Sequence, residues 1–284
     1  MEEKFKITEL SKGRPNHQFG ENINKKFTQM KYNDIIQRKL KNGGKNMEWM
    51  DFMSEEIKPE NITNREQKEQ IANQVAEKIK NGDVIGFGSG SSSYLAALAI
   101  AKRIEEEDLK ILAIPTSYEM KMVCHDLKIP TTTILAHKPD WSFDGADEVE
   151  KETNRLIKGR GGAMFKEKLN MANSAITYIL ADNSKMVDKL GEKFSIPIEV
   201  FPEALNSVKE ALADFGATEM ILRKAVKKDG PVLTENNNFI LDTKFVEIYD
   251  GLEEDIKTVT GVIESGLFTD YPVEILHETV ENEK

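Results

Sequence analysis

DVIGFGSGSSSYLAALAIAKRI, residues 83–104, is the stretch whose reading decides the fold. Asp83 to Phe87 is a short apolar run of the kind buried as a strand, and Gly86 to Ser93 is glycine and serine apart from Phe87. The remainder carries Leu95, Leu98 and Ile104 inward on a helix running through Ile104. A strand, a small-residue loop and a helix in succession form half of a parallel α/β unit. They also form a recipe for holding an anion. Glycine lets backbone N–H groups approach, serine hydroxyls donate, and the helix N-terminus adds partial positive charge. A tight turn with a serine N-cap would use the same residues. The G-x-G-x-G spacing lacks the third glycine of a dinucleotide fingerprint, and no Gly-Lys-Ser/Thr follows to make a P-loop.

Upstream, Thr63 and Glu66 have capping-box spacing. They predict a helix with Ile71, Val75 and Ile79 inward, ending at Asn81-Gly82. Downstream, Leu109–Ile114 reads as a strand ending in Pro115-Thr116-Ser117, before a helix containing Met120, Val123 and Leu127. Thr131–Leu135, Trp141–Phe143 and Ala175–Leu180 are further strand candidates. This alternation predicts a parallel sheet, in which ligands bind beyond the C-terminal strand ends. The Gly/Ser loop, Pro115-Thr116-Ser117 and Asp144 should share that edge.

The rhythm then changes. Phe194–Phe201, with Pro197 inside it and Pro202 after it, reads as an edge strand or crossover. A helix over Glu203–Phe215, a strand over Met220–Arg223 and a hairpin about Asn236-Asn237-Asn238 follow. A helix over Leu252–Val259 and a strand at Val262-Ile263 complete a βαββαβ order. The expectation is an α/β fold: a Rossmann-like parallel sheet with helices on both faces, plus a small α+β, ferredoxin-like subdomain. The expected division is a polar N-terminal extension (1–60), an α/β catalytic domain (61–195 with 266–284) and the subdomain (196–265). Within the extension, Phe27, Met30, Tyr32, Ile35, Ile36 and Leu40 could make one short amphipathic helix.

Chemistry concentrates in DGADEVEKETNRLIKGRGGAMFKEK, residues 144–168. It brings together Asp144, Asp147, Glu167, Lys158 and the Gly159-Arg160-Gly161-Gly162 loop. Acids and a cation delivered from strand ends suit proton transfer, although a solvated charged loop would read the same way.

Composition sets bounds. The chain has 284 residues, 39% of them hydrophobic and 31% charged, and is long enough for a sizeable core. A net charge of −10 argues against a general nucleic-acid binder, so an anionic substrate would need a local positive pocket. The single cysteine, Cys124, excludes an internal disulfide framework and fits a reducing compartment. No apolar run has transmembrane length and no secretory h-region opens the chain, so the expectation is cytoplasmic, with no membrane partner. The histidines (His17, His125, His137, His277) are scattered without metal-ligand spacing, and no metal is expected.

Seven motifs in order, VIGFGSGSSS (84–93), AIPTSYE (113–119), FDGADEVE (143–150), LIKGRGGAMFKEK (156–168), PIEVFP (197–202), NNNFILDTKF (236–245) and GVIESGLF (261–268), resemble the A-type ribose-5-phosphate isomerase family. The resemblance covers residues 62 to about 272. It implies interconversion of ribose 5-phosphate and ribulose 5-phosphate through a cis-enediolate, with no cofactor, in a homodimer or homotetramer. Glu167 would be the base that moves the proton between C1 and C2. Asp144, Asp147 and Lys158 would surround the sugar, with roles in ring opening, proton shuttling between oxygens and stabilising negative charge. Ser89, Gly90, Ser91 and Ser92 would hold the phosphate or adjacent hydroxyls, Lys68 would lie near it, and Gly145, Ala146, Gly159 and Gly161 would line the substrate. The sequence departs from the family pattern in three ways. Ser89 and Ser92 stand where threonines are usual, Asn237 where a turn glycine is common, and Arg160 where many members have glycine, with its side chain expected in solvent. A non-catalytic sugar-phosphate sensor, which would keep the phosphate loop without Glu167, is the rival reading, and an isomerase for a related sugar phosphate is another.

Overall fold

Hydrophobic alternation in the chain resolves into three sheets in the computed structural model, which describes residues 61–278. These residues fall within one unit. The N-terminal extension, including the helix expected from Phe27 to Leu40, lies outside the described residues.

The first sheet is fully parallel. It contains β1 (Val84–Phe87), β2 (Leu112–Pro115), β3 (Trp141–Gly145), β6 (Thr177–Leu180) and β13 (Val273–Leu276), in the order β13-β6-β3-β1-β2. The chain runs outward from β1 to β2 on one side and to β3 on the other, so the topological switch lies between β1 and β3. Alternating side chains face opposite ways. Ile85, Phe87, Trp141 and Phe143 share one core with α1 (Arg65–Ala76), α2 (Gly90–Glu107) and α3 (Tyr118–Asp126). Each such fully buried side chain contributes about 1.5–3 kcal/mol of hydrophobic free energy. On the other face, Gly86 and Ser142 lie under Asn170 of α4 (Met164–Asn173), and a β-carbon on Gly86 would fall 3.0 Å from Asn170 Nδ2. Helices on both faces therefore match the sequence expectation.

The second sheet is antiparallel, with order β11-β8-β10-β9. It comprises β8 (Ile196–Val200), β9 (Ala217–Leu222), β10 (Phe239–Phe245) and β11 (Val262–Ser265), with α5 (Leu205–Asp214) and α6 (Leu252–Thr258) completing its core. The order of strands and helices along the chain, β8-α5-β9-β10-α6-β11, is the ferredoxin-like βαββαβ pattern. Asn237 takes φ 63°, the left-handed backbone that asparagine tolerates in a turn.

Several local expectations are corrected. Thr63 does not cap α1. Asn64 occupies the N-cap position at φ 52° without a side-chain cap, because its amide reaches Asp182 Oδ1 at 3.3 Å. The helix also ends at Ala76, whose carbonyl accepts from Arg103 Nη1 at 2.6 Å, and Ile79 is buried beyond the helix end. Thr131–Leu135 is not a strand. Only Thr131 bridges to Ala113, and Leu135 turns outward, 96% exposed. The segment holding Pro197 is an interior strand, β8, rather than an edge or crossover. Where Pro197 lacks a donor, Gly266 turns its carbonyl to Lys158 N (2.9 Å) while still donating to the Pro197 carbonyl (2.7 Å).

A third, small mixed sheet was not expected: β4 (Glu148–Glu150), β5 (Leu156–Ile157), β7 (Met186–Val187) and β12 (Leu267–Phe268), in the order β12-β5-β4-β7. It folds the 144–158 segment into a hairpin and so returns Lys158 to Asp144.

Candidate active site

The C-terminal edge of the parallel sheet carries the chemistry. Asp144 is the penultimate residue of β3, Lys158 follows β5, and Glu167 lies in the first turn of α4. All three are buried. Lys158 Nζ lies 2.9 Å from Asp144 Oδ2, 3.1 Å from Glu167 Oε2, and donates to the Gly145 carbonyl at 2.7 Å. Asp144 Oδ1 also accepts from Ser89 N (3.2 Å) and Gly145 N (2.8 Å). Glu167 Oε2 is different: it is buried next to the ammonium, yet no hydrogen bond reaches it.

Burial dominates the proton affinities of both carboxyls. Burial lifts the Glu167 carboxyl, the Asp144 charge adds to the lift, Lys158 opposes it, and the result is about 7. Burial also raises Asp144, against the pull of Lys158 and its backbone donors. With two carboxylates on one cation they titrate together. The donors on Asp144 favour its ionised form and oppose the rise that burial causes. Burial opposes the charge on Lys158, but the two carboxylates outweigh it and hold the pKa above that of a free lysine.

The Gly/Ser stretch becomes Ser89 at the N-cap of α2 and Gly90, Ser91 and Ser92 in its first turn. Ser89 does not cap with its side chain. Its hydroxyl lies 2.7 Å from Thr116 Oγ1 instead, leaving the first-turn N–H groups of an 18-residue helix without a side-chain cap. Lys68, buried on α1, donates to Ser91 Oγ at 3.3 Å and brings a cation to this turn. Burial lowers its pKa, the nearby Lys185 and Arg160 charges add to that, and Asp182 opposes them. Gly88 joins the two halves of the site. A β-carbon there would overlap Asp144 Oδ1 and lie 2.6 Å from Asp144 Cα, so only glycine lets the loop lie against the aspartate. Among the described residues, no group of three His, Cys, Asp or Glu side chains could hold a metal ion.

The profile of the family described as Ribose 5-phosphate isomerase A (phosphoriboisomerase A) matches residues 112–281. The Ribose-5-phosphate isomerase A of Methanocaldococcus jannaschii is 43% identical over 210 residues, 73% of this chain and 92% of that protein. The chain belongs to the ribose 5-phosphate isomerase A family. The Thermococcus kodakarensis member is 40% identical over 77% of this chain and 96% of its own length. The solved Methanocaldococcus jannaschii ribose 5-phosphate isomerase A superposes with a TM-score of 0.72 at 42% identity, covering 75% of this chain and 95% of that one. A D-ribose-5-phosphate isomerase solved in complex with phospho-erythronic acid gives a TM-score of 0.71 at 37% identity, covering 74% and 93%.

The ribose 5-phosphate isomerase A motifs are brought together unevenly. Asp144, Lys158 and Glu167 form one contact group. Asp147 stands beside it, its Oδ2 accepting from Arg160 N at 3.0 Å. The Arg160 side chain is largely in solvent, as expected, with Nε 3.9 Å from Asp147 Oδ1. Gly145 offers its carbonyl to Lys158, Ala146 is buried in the core of the small sheet, and Gly159 turns the chain at φ +96° directly after Lys158. A methyl group on Gly161 would meet nothing within 4 Å, so packing does not demand glycine there. Sequence reasoning missed three supporting residues. Asp182 follows β6, and its Oδ1 holds Asn64 (3.3 Å) and Ser184 N (2.9 Å). Arg223 pairs with Asp242 and donates to the Arg160 carbonyl at 2.6 Å, pinning the glycine loop from the ferredoxin-like sheet. Glu235 bonds Lys166 of α4. Of these, only Asp182, at a parallel strand's C-terminal end, carried a readable signal.

Proposed function

We propose that the chain interconverts D-ribose 5-phosphate and D-ribulose 5-phosphate through a cis-enediolate. The observation that carries this reading is the buried Glu167–Lys158–Asp144 group at the switch edge, beside the serine-rich start of α2 and Lys68. Glu167, ionised, takes the C2 proton of the opened aldose; the C–H electron pair becomes the C1–C2 double bond as the carbonyl oxygen gains charge. Lys158 offsets that charge, and Asp144 and Asp147 pass protons between the sugar oxygens. Glu167 then returns the proton to C1 while the O2 proton leaves, and C2 becomes the carbonyl. No oxidant enters, because the step moves only a proton and an electron pair within the sugar. The phosphate rests on the first turn of α2, within reach of Ser91, Ser92 and Lys68, and fixes the pose through remote binding energy. A relative solved with phospho-erythronic acid, a phosphorylated sugar acid, supports this ligand class.

The same reading puts the enzyme in the cytoplasm, a reducing setting that suits Cys124, a buried thiol pushed up to about 12 by burial. It assembles as a homodimer or homotetramer, consistent with exposed Ile221, Leu233 and Val226 on the ferredoxin-like subdomain. No helix among the described residues is long and apolar enough to cross a membrane. The test is incubation of the wild-type protein with D-ribose 5-phosphate in deuterated water. Formation of ribulose 5-phosphate, with deuterium at carbon found by NMR, supports the reading; a protein that binds the sugar phosphate without converting it contradicts it.

A further inference from the structure

The residue before the candidate base points away from it, to a different part of the fold. Lys166 Nζ lies 2.6 Å from Glu235 Oε2, and the other oxygen of Glu235 accepts from the backbone N–H of Tyr118, the first residue of α3. The Lys166 ammonium also sits 5.1 Å from the centre of the Tyr118 ring. Glu235 therefore ties the catalytic helix to the loop after β2, from a turn that belongs to the ferredoxin-like subdomain.

That turn is held firmly. The buried carboxylate of Glu199 on β8 accepts, through Oε1, from Thr234 Oγ1 (2.8 Å), Asn236 Nδ2 (3.2 Å) and Asn238 Nδ2 (2.8 Å). Thr234 N donates to the Asn238 carbonyl at 2.9 Å, closing the turn on itself. Glu235 is thus presented from a rigid mount and remains only partly exposed, at 23%.

The contacts close into a ring. Thr116, two residues before Tyr118, meets Ser89 at 2.7 Å, and Ser89 N donates to Asp144. Asp144 pairs with Lys158, Lys158 with Glu167, and Glu167 is bonded along the helix to Lys166. Glu235 is the link between Lys166 and Tyr118 that completes the circuit, and its one member from the ferredoxin-like subdomain.

We propose that Glu235 is a positioning residue for the isomerisation, fixing the first turn of α4 against the β2–α3 loop so that Glu167 meets the substrate carbon at the right distance. A misplacement of 1 Å from a site outside the chemistry costs on the order of a hundredfold in rate. The inference rests on the isomerase reading. Because Glu235 bonds Lys166 and the Tyr118 backbone rather than Ser91, Ser92 or Lys68, its loss should act on the chemical step and leave the phosphate anchor alone.

The experiment compares wild type with Glu235→Ala, Lys166→Met and the double variant, with D-ribose 5-phosphate as substrate. Each single variant should lower kcat by about ten- to a hundredfold with KM within about twofold, and the double variant should lose no more than the worse single one. Unchanged kcat in a folded variant overturns the proposal, as does a rise in KM at constant kcat, or losses that multiply in the double variant. If wild type turns the sugar phosphate over while the variants match it, the positioning role fails alone. A wild type without turnover overturns the isomerase reading with it.

Discussion

Lys158 Nζ and Glu167 Oε2 stand 3.1 Å apart, both buried, and yet the glutamate oxygen receives no hydrogen bond. The ammonium donates to the Gly145 carbonyl and ion-pairs with Asp144 at 2.9 Å as well. Glu167 therefore feels a cation without being saturated by donors, the condition for a carboxylate that takes up a proton near neutrality.

Activity should follow that proton. The base must be ionised, so kcat/KM should rise as pH increases through about 7, the value set by burial and the Asp144 charge. Stability should move in the opposite direction. A folded pKa of about 7 against 4.5 for an ordinary glutamate means that the folded state binds the extra proton between these values. Its contribution is complete below about pH 4.5 and is lost as pH rises through 7, by at most about 1.4 kcal/mol per pH unit. Glu167→Gln should flatten this stretch of the stability profile, measured by urea unfolding at a series of pH values.

Removing Lys158 should damage both fold and chemistry. Lys158→Met leaves Asp144 and Glu167 facing each other in a buried site, and breaking such a pair costs about 3–5 kcal/mol. Loss of the cation should also lower kcat by about a hundred- to a thousandfold. Equilibrium unfolding and turnover of the same preparation separate the two effects.

Gly88→Ala is a test of the close approach between the Gly/Ser loop and Asp144. Its methyl carbon would overlap Asp144 Oδ1 and fall 2.6 Å from Asp144 Cα, the second of which is backbone and cannot swing aside. The expected cost is about 1–3 kcal/mol of stability, with turnover lost in parallel. A variant with wild-type melting and kcat would show that the two strands are not held together as described.

How much of this was readable beforehand depended on range. Asp144, Lys158 and Glu167 were legible because they fall within one glycine-interrupted segment, and the parallel sheet because β1 and α2 adjoin the Gly/Ser run. The βαββαβ order of the subdomain was legible from its turns. The small sheet was not, since β5, β7 and β12 are two residues each and too short to show a period. Thr63 failed as a cap because Asn64 is drawn to Asp182, 118 positions away. Pro197 misled because its missing donor is absorbed by Gly266, a partner that only the tertiary fold supplies. Glu235 and Arg223 were invisible for the same reason, as both act across about 60–70 positions of chain.

The proposed phosphate anchor yields a separate kinetic signature. Lys68→Met should raise KM for D-ribose 5-phosphate about tenfold or more, since a hydrogen bond to a charged group contributes about 1.5–3 kcal/mol, while kcat stays near wild type. Inorganic phosphate should inhibit the wild-type protein competitively, and more weakly the variant. Steady-state kinetics with and without phosphate would check both expectations.

The central claim, that Glu167 carries the proton between C1 and C2, is tested most directly by Glu167→Gln in deuterated water with D-ribose 5-phosphate. Carbon-bound deuterium uptake and turnover should both fall at least a hundred- to ten-thousandfold, while the Kd for the sugar phosphate, measured by calorimetry, stays within a few-fold of wild type. Deuterium uptake at the wild-type rate in a folded Glu167→Gln protein would contradict the account.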